Sequence, residues 1–358
     1  MGVTPSPHDP NAAALLRVGQ TLNGKWRIDR LIDVGGMGAV FEATHRNGRR
    51  AAIKILHPHF ASNSEVRQRF LREGYVANRI DHPGAVAILD DDTAEDGSPF
   101  LVMELLEGES LSALLNRRGG VLPVGEALAI AGQVLDVLVT AHRNGVVHRD
   151  IKPGNVFVTR GGHAKLLDFG LARIRDGATS LIPTAVGIVM GTAGYLAPEQ
   201  ARGQPDLIDA RTDIFAVGAV LFRALTGRRI HEQANAFDMT IAAMRERAPS
   251  LAVDLPEASP ELVAAVDRAL SFEREARWPD AREMFSALRA AYDAEVARTA
   301  RVAEEPPESE PPSSLVIDVT FGDEHDEALE RERRRTREVI ESLSNISVAI
   351  DPSTLRGP

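Results

Sequence analysis

Among the 358 residues there is no cysteine, which excludes disulfides, thiolate metal sites and thiol redox chemistry. Long apolar runs are also missing. No stretch approaches the run of about eighteen uninterrupted apolar residues of a membrane span. Ala12 to Leu16, the longest apolar stretch near the N-terminus, is too short for a signal-peptide core. The expectation is a cytoplasmic chain without a membrane span. Basic surplus is absent: 41 Lys and Arg stand against 51 Asp and Glu, a net charge of -10, so no nucleic-acid partner is expected. His57, His59 and His82 lie beside proline or in connecting turns, with no second ligand cluster at metal spacing, and no zinc site is assigned. There is no internal repeat. What remains, 44% hydrophobic and 26% charged residues, describes a soluble globular protein with a sizeable core, of one large or two ordinary domains.

Residues 1–25 sustain no period and contain Pro5, Pro7 and Pro10, so they are read as a flexible extension. From Trp26 the pattern alternates in the strand manner through Ile32, turns at Gly35-Gly36-Met37-Gly38, and resumes as strands at Ala39 to Ala43 and Ala51 to Leu56. Ser64 to Ile80 has the spacing of an amphipathic helix, and Ala85 to Leu89 and Phe100 to Glu104 return to strands. Beyond Gly108 helices dominate: Gly125 to Asn144, Ala210 to Thr226, Phe237 to Arg247, Pro260 to Ser271 and Asp280 to Arg298. The fold class is therefore α+β: a small lobe over 26–105, with an antiparallel sheet and one main helix, followed by a larger helical lobe over 106–298. Residues 299–314 read as a Pro/Glu-rich linker, and 315–358 as a charged tail with a helix candidate at Glu324 to Leu343. That tail is a disordered appendage, a docking motif or an intramolecular inhibitor. Its Arg331 to Arg335 run reads as a solvated helix face or a docking surface.

The chemistry-bearing residues come in an ordered series. The turn holding Gly35, Gly36 and Gly38 lies between two strands, so its backbone amides can fold over phosphates, although an ordinary hairpin turn has the same composition. No Gly-Lys-Ser/Thr opens a following helix, which excludes a Walker A loop. Lys54 ends a strand, where an ammonium can reach phosphate oxygens, and Glu73 on the next helix can orient it. In Val147-His148-Arg149-Asp150-Ile151-Lys152-Pro153-Gly154-Asn155, Asp150 can accept the proton of an attacking hydroxyl. Lys152 can neutralise a transferred phosphoryl group, and Asn155 offers an oxygen to magnesium. Asp168, in Asp-Phe-Gly, is the second and anionic magnesium ligand.

These motifs, with Gly-Thr-Ala-Gly-Tyr-Leu-Ala-Pro-Glu-Gln at 191–200, resemble the eukaryotic-like Ser/Thr protein kinase family in its bacterial branch, over about Trp26 to Tyr292. The resemblance implies a two-lobed protein kinase fold and transfer of the γ-phosphoryl group of ATP, with Mg2+, to Ser or Thr hydroxyls of protein substrates. It places Val40 and Ala52 at the nucleotide, makes Met103 the gatekeeper, and has Glu104 and Leu106 present backbone groups to adenine. Glu199 closes the activation segment and pairs with Arg277, while Asp213 supports the catalytic loop from below. Arg149 beside Asp150 implies control by activation-loop phosphorylation, with Thr184 the first candidate acceptor and Thr179 and Ser180 the others. A homodimer or a tail-mediated partner is left open. The alternatives are a pseudokinase scaffold, which binds nucleotide and partners without turnover, and a small-metabolite phosphotransferase, which usually lacks the Glu199–Arg277 segment. One departure stands out: Asp33 occupies the position of the family's first loop glycine. It either weakens ATP binding or points outward harmlessly.

Overall fold

Alternating burial along Trp26 to Val34 is what a strand covering a core on one face requires, and the sheet grows from it. In the computed structural model, which describes residues 10–169, 173–174 and 193–304, the first lobe contains α1 (Pro10–Leu15), β1 (Thr21–Leu22), β2 (Trp26–Val34), β3 (Gly38–His45) and β4 (Arg50–Leu56). It continues with α2 (Pro58–Ala61), α3 (Ser64–Asn78), β5 (Ile88–Thr93) and β6 (Pro99–Met103). The strands form one antiparallel sheet in the order β1-β2-β3-β4-β6-β5. Helix α3 is started by Asn63, whose side chain accepts from the amides of Glu65 and Val66 at 3.0 and 3.2 Å. It then packs Phe70 against Leu56 and Leu101 under the sheet.

The second lobe begins with β7 (Gly108–Ser110), α4 (Leu111–Arg117), α5 (Val124–Arg143), β8 (Val146–Val147), β9 (Val156–Thr159), β10 (Ala164–Leu166) and β11 (Arg173–Ile174). It ends with α6 (Pro198–Ala201), α7 (Ala210–Thr226), α8 (Ala236–Arg245), α9 (Leu251–Asp254), α10 (Pro260–Ala269) and α11 (Ala281–Glu304). Helix α5 alone among the described residues is long and apolar enough to cross a membrane by length and composition, yet 61% of its apolar window is buried inside the lobe. Apolar on nearly every side, it behaves as a core helix: Leu135, Leu138 and Ala141 are fully buried, in one cluster with Ile214 and Phe222 of α7 and Leu288 of α11. Each such large side chain contributes about 1.5–3 kcal/mol by leaving water. Strands β7, β9 and β10 form a small sheet on this lobe's upper surface, and β8 pairs with β11.

Several expectations are corrected. Order begins before Trp26: β1 pairs with β2, Ala14 and Leu22 are buried, and the Asn23 side chain bonds the Thr93 carbonyl at 2.9 Å. Residues 10–25 are thus no loose extension. Their apolar residues, Ala12 to Leu16, Val18 and Leu22, follow no single helix or strand period, and their order comes from contacts with the distant β5–β6 turn, where Arg17 pairs with Asp96. The strand expected at Ala85 to Leu89 lies at Ile88–Thr93, so the acidic run Asp90 to Asp92 forms the sheet edge. Edge strands tolerate charge because one side faces solvent. Helix α11 continues past the expected end at Arg298 to Glu304, into residues assigned to the linker. The remainder of the linker and the tail lie outside the described residues.

Candidate active site

The loop from His148 to Asn155 runs from β8 to β9 and is held from beneath by one carboxylate. Asp213, in the first turn of α7, is fully buried and accepts from the backbone amides of His148 and Arg149 and from His142 Nε2, each at 2.8 Å. Burial pushes the Asp213 carboxyl up, but the His142 hydrogen bond and the other donors outweigh it, and the group sits below its ordinary value. Arg149 takes a left-handed backbone, φ 68°, which a non-glycine residue holds only when its surroundings impose it. Here its amide is fixed by Asp213 and its carbonyl accepts from Gln200 Nε2 at 2.7 Å.

With the backbone set, the side chains converge. Asp150 Oδ2 accepts from Lys152 Nζ at 2.8 Å and from Asn155 Nδ2 at 2.9 Å, while Asp150 Oδ1 is buried and takes no donor among the described residues. Asn155 Nδ2 also bonds the Asp150 backbone carbonyl at 2.8 Å, which commits the side-chain NH2 to the loop and leaves the side-chain Oδ1 for a cation. His148 accepts from the Asp150 amide on Nδ1, so Nε2 is its protonated nitrogen and donates to the Leu167 carbonyl at 2.9 Å. Leu167 in turn donates to the Asn155 carbonyl at 2.8 Å, which ties Asp168 to the loop.

Asp168 also has a left-handed backbone, φ 51°, and its Oδ1 accepts from Lys54 Nζ at 2.6 Å. Partial desolvation raises the Asp168 carboxyl, but the charge and hydrogen bond of Lys54, with help from His148 and Lys152, bring it below its ordinary value. It is therefore anionic at neutral pH. Among the described residues no group of three or more His, Asp or Glu could hold a metal ion. The donor set of an Asn oxygen and one carboxylate nevertheless fits magnesium, which keeps waters and takes phosphate oxygens alongside one or two protein ligands. Glu73 lies on α3, but its side chain falls outside what the structure describes. Beside it, a Cβ on Gly74 would come within 2.9 Å of the Leu101 side chain, so this glycine lets α3 approach the sheet.

The sheet register places Val40 opposite Lys54 and Ala52 opposite Met103, so these four residues share one face. Asp33 lies opposite Val40 on that same face, and its Oδ1 accepts from the next amide, Val34, at 2.8 Å. Gly38 is required by packing, since a Cβ there would meet the Ile55 carbonyl oxygen at 2.3 Å. Gly35 and Gly36 form the exposed tip. Glu104 and Leu106 lie in the connection between the lobes. The Glu104 carboxylate is clamped by Lys165 Nζ at 2.6 and 2.7 Å and accepts from the Ala87 amide at 2.9 Å.

Glu199 and Arg277 form a bidentate pair at 2.8 and 2.9 Å, with the arginine side chain fully buried. Thr212 adds a hydroxyl donor to Glu199 at 2.7 Å, and Arg277 satisfies its other N–H groups on the carbonyls of Ser271, Arg211 and Phe272. Thr179, Ser180 and Thr184 lie outside the described residues. Sequence reasoning missed His142, Lys165, Gln200 and Thr212. The signals available were a polar residue in an apolar helix, His142 in α5, and the place of Gln200 at the end of the 191–200 motif; Lys165 and Thr212 look like ordinary surface residues until the chain is folded.

The model of the protein kinase domain matches residues 26–287. Serine/threonine-protein kinase PknA of Mycobacterium tuberculosis is 40% identical over 252 residues, covering 69% of this chain and 57% of that protein. Serine/threonine-protein kinase pkn3 of Myxococcus xanthus is 37% identical over 287 residues, covering 78% of this chain and 52% of that one. This chain thus spans little more than half the length of either relative. The Mycobacterium tuberculosis PknI kinase domain superposes with a TM-score of 0.58 at 28% identity, covering 76% of this chain and 98% of that chain. Family model, relatives and fold agree: the chain belongs to the bacterial eukaryotic-like Ser/Thr protein kinase family, whose cofactors are ATP and magnesium.

Proposed function

We propose that this chain is an ATP-dependent protein kinase that transfers the γ-phosphoryl group to Ser or Thr hydroxyls of protein substrates. The carrying observation is the split environment of Asp150. One carboxylate oxygen is fixed by Lys152 and Asn155, and the other is buried without a partner among the described residues. A buried acceptor left open costs stability, which is tolerable where an incoming hydroxyl completes it. In this reading Asp150 Oδ1 accepts the hydroxyl hydrogen, the hydroxyl oxygen bonds the γ-phosphorus as the bridging bond to the β-phosphate breaks, and ADP leaves. Lys152 holds Oδ2 and places positive charge beside the transferred group. Lys54 holds Asp168 and offers charge to the α- and β-phosphates. Asn155 and Asp168 would hold magnesium, which supplies charge neutralisation on the phosphates when bound. Val40, Ala52 and Met103 would enclose adenine, with the backbone of Glu104 and Leu106 reading its edge. Catalysis is positioning and electrostatics rather than covalent chemistry.

Radiolabelled ATP with the purified chain tests the reading. Asp150→Asn is expected to cut label transfer by about 10²–10⁴-fold. Equal label in both proteins would remove catalysis and leave a nucleotide-binding scaffold. Autophosphorylation is placed at Thr184 first, then Thr179 or Ser180, and tandem mass spectrometry after incubation with ATP assigns the site. For the setting we infer the cytoplasm, supported by the burial of α5 within the domain; cell fractionation checks it. A homodimer or a partner recruited by residues 315–358 remains the proposed route of regulation, read out by sedimentation with and without that tail.

A further inference from the structure

One residue outside the glycine-rich turn fastens it at two points. His57, directly after β4, donates its backbone N–H to the Met37 carbonyl at 2.9 Å. Its ring Nε2 lies 2.9 Å from the Gly35 carbonyl oxygen, which only accepts, so the ring nitrogen is the donor. The Gly38 carbonyl is taken by the Gly35 amide at 2.9 Å. Three carbonyls of the turn are therefore engaged, while the amides of Gly36 and Met37 meet no protein acceptor among the described residues. Carbonyl oxygens repel an anion and free amides attract it, so a turn with its carbonyls tied down is a phosphate cradle. The latch is itself rigid. His57 is 8% exposed, precedes Pro58 at the start of α2, and stacks on His59 with ring centroids 5.6 Å apart.

We propose that His57 is a positioning residue that holds the glycine-rich turn with its amides presented to the phosphates of the nucleotide. The inference rests on the kinase reading above, but it can be judged by binding alone. Substituting the ring removes the Gly35 anchor and keeps the backbone anchor to Met37. For the full chain with magnesium, His57→Leu is expected to weaken ADP binding about fivefold to tenfold by calorimetry and to raise the KM for ATP similarly. It should leave kcat within about twofold and thermal stability within about 2 °C. His57→Gln, which keeps a side-chain N–H of similar reach, should recover most of the ADP affinity. Adenosine, which has no phosphates, should bind all three proteins alike. Unchanged ADP affinity in His57→Leu, or an equal loss for adenosine and ADP, would overturn the proposal. A wild-type chain that binds ADP but transfers no phosphoryl group would sink the kinase reading and leave this one standing.

Discussion

Asp33 brings a negative charge to the sheet face on which the proposed function places the nucleotide phosphates. Its register opposite Val40 puts it on the same sheet face as Lys54, at an exposed position just after a bulge in β2. Its carboxylate is partly occupied by the Val34 amide, which moderates rather than cancels the charge. At about 4 Å a like charge costs roughly 1 kcal/mol in bulk water and about 4 at an intermediate dielectric. Asp33→Gly is therefore expected to lower the KM for ATP by about fivefold or more, with kcat little changed, in steady-state assays. An unchanged KM would mean that the carboxylate stands clear of the phosphates.

Among the elements, α6 and the turn before α11 are joined by the Glu199–Arg277 pair, and this is where acid sensitivity is expected. Burial raises the Glu199 carboxyl, but the Arg277 hydrogen bond and charge more than compensate, so it lies below its ordinary value, as Asp213 does in the first turn of α7. A carboxyl depressed in the fold contributes stability above its unfolded value and loses that contribution as pH falls through the folded one. Urea midpoints should hold from neutrality to about pH 5 and fall below about pH 4. Arg277→Ala leaves Glu199 buried without its counter-charge and should cost about 3–5 kcal/mol in denaturant titrations, whereas Glu199→Leu with Arg277→Met should recover part of that loss. At the connection between the lobes, Lys165 fixes the Glu104 side chain and so the backbone that the proposed function offers to adenine. Lys165→Met is expected to raise the KM for ATP about threefold to tenfold with a smaller change in kcat. An effect on kcat alone would place the role of Lys165 elsewhere.

For the whole molecule, the described core closes with α11, whose Leu288 and Ala291 are buried in the helical lobe and whose Glu295 accepts from the Ser259 amide at the start of α10. Deleting 305–358 should therefore leave the melting temperature within about 2 °C, and comparing autophosphorylation rates of the two chains then reads whether the tail restrains the enzyme. A large drop in melting temperature would instead show that the tail packs on the domain. The sequence by itself determined the two-lobed plan and grouped the candidate phosphoryl-transfer residues, because long helices and strands carry their period in adjacent residues and the motif around Asp150 is contiguous. Only the tertiary structure decided that Thr21 and Leu22 join the sheet with α1 packed on it, that His57 fastens the glycine-rich turn, that Lys165 clamps Glu104, and that Asp33 shares a sheet face with Lys54. Each of those depends on contacts between residues far apart in the chain or on strand register, and a one-residue shift in register would turn every side chain to the opposite face.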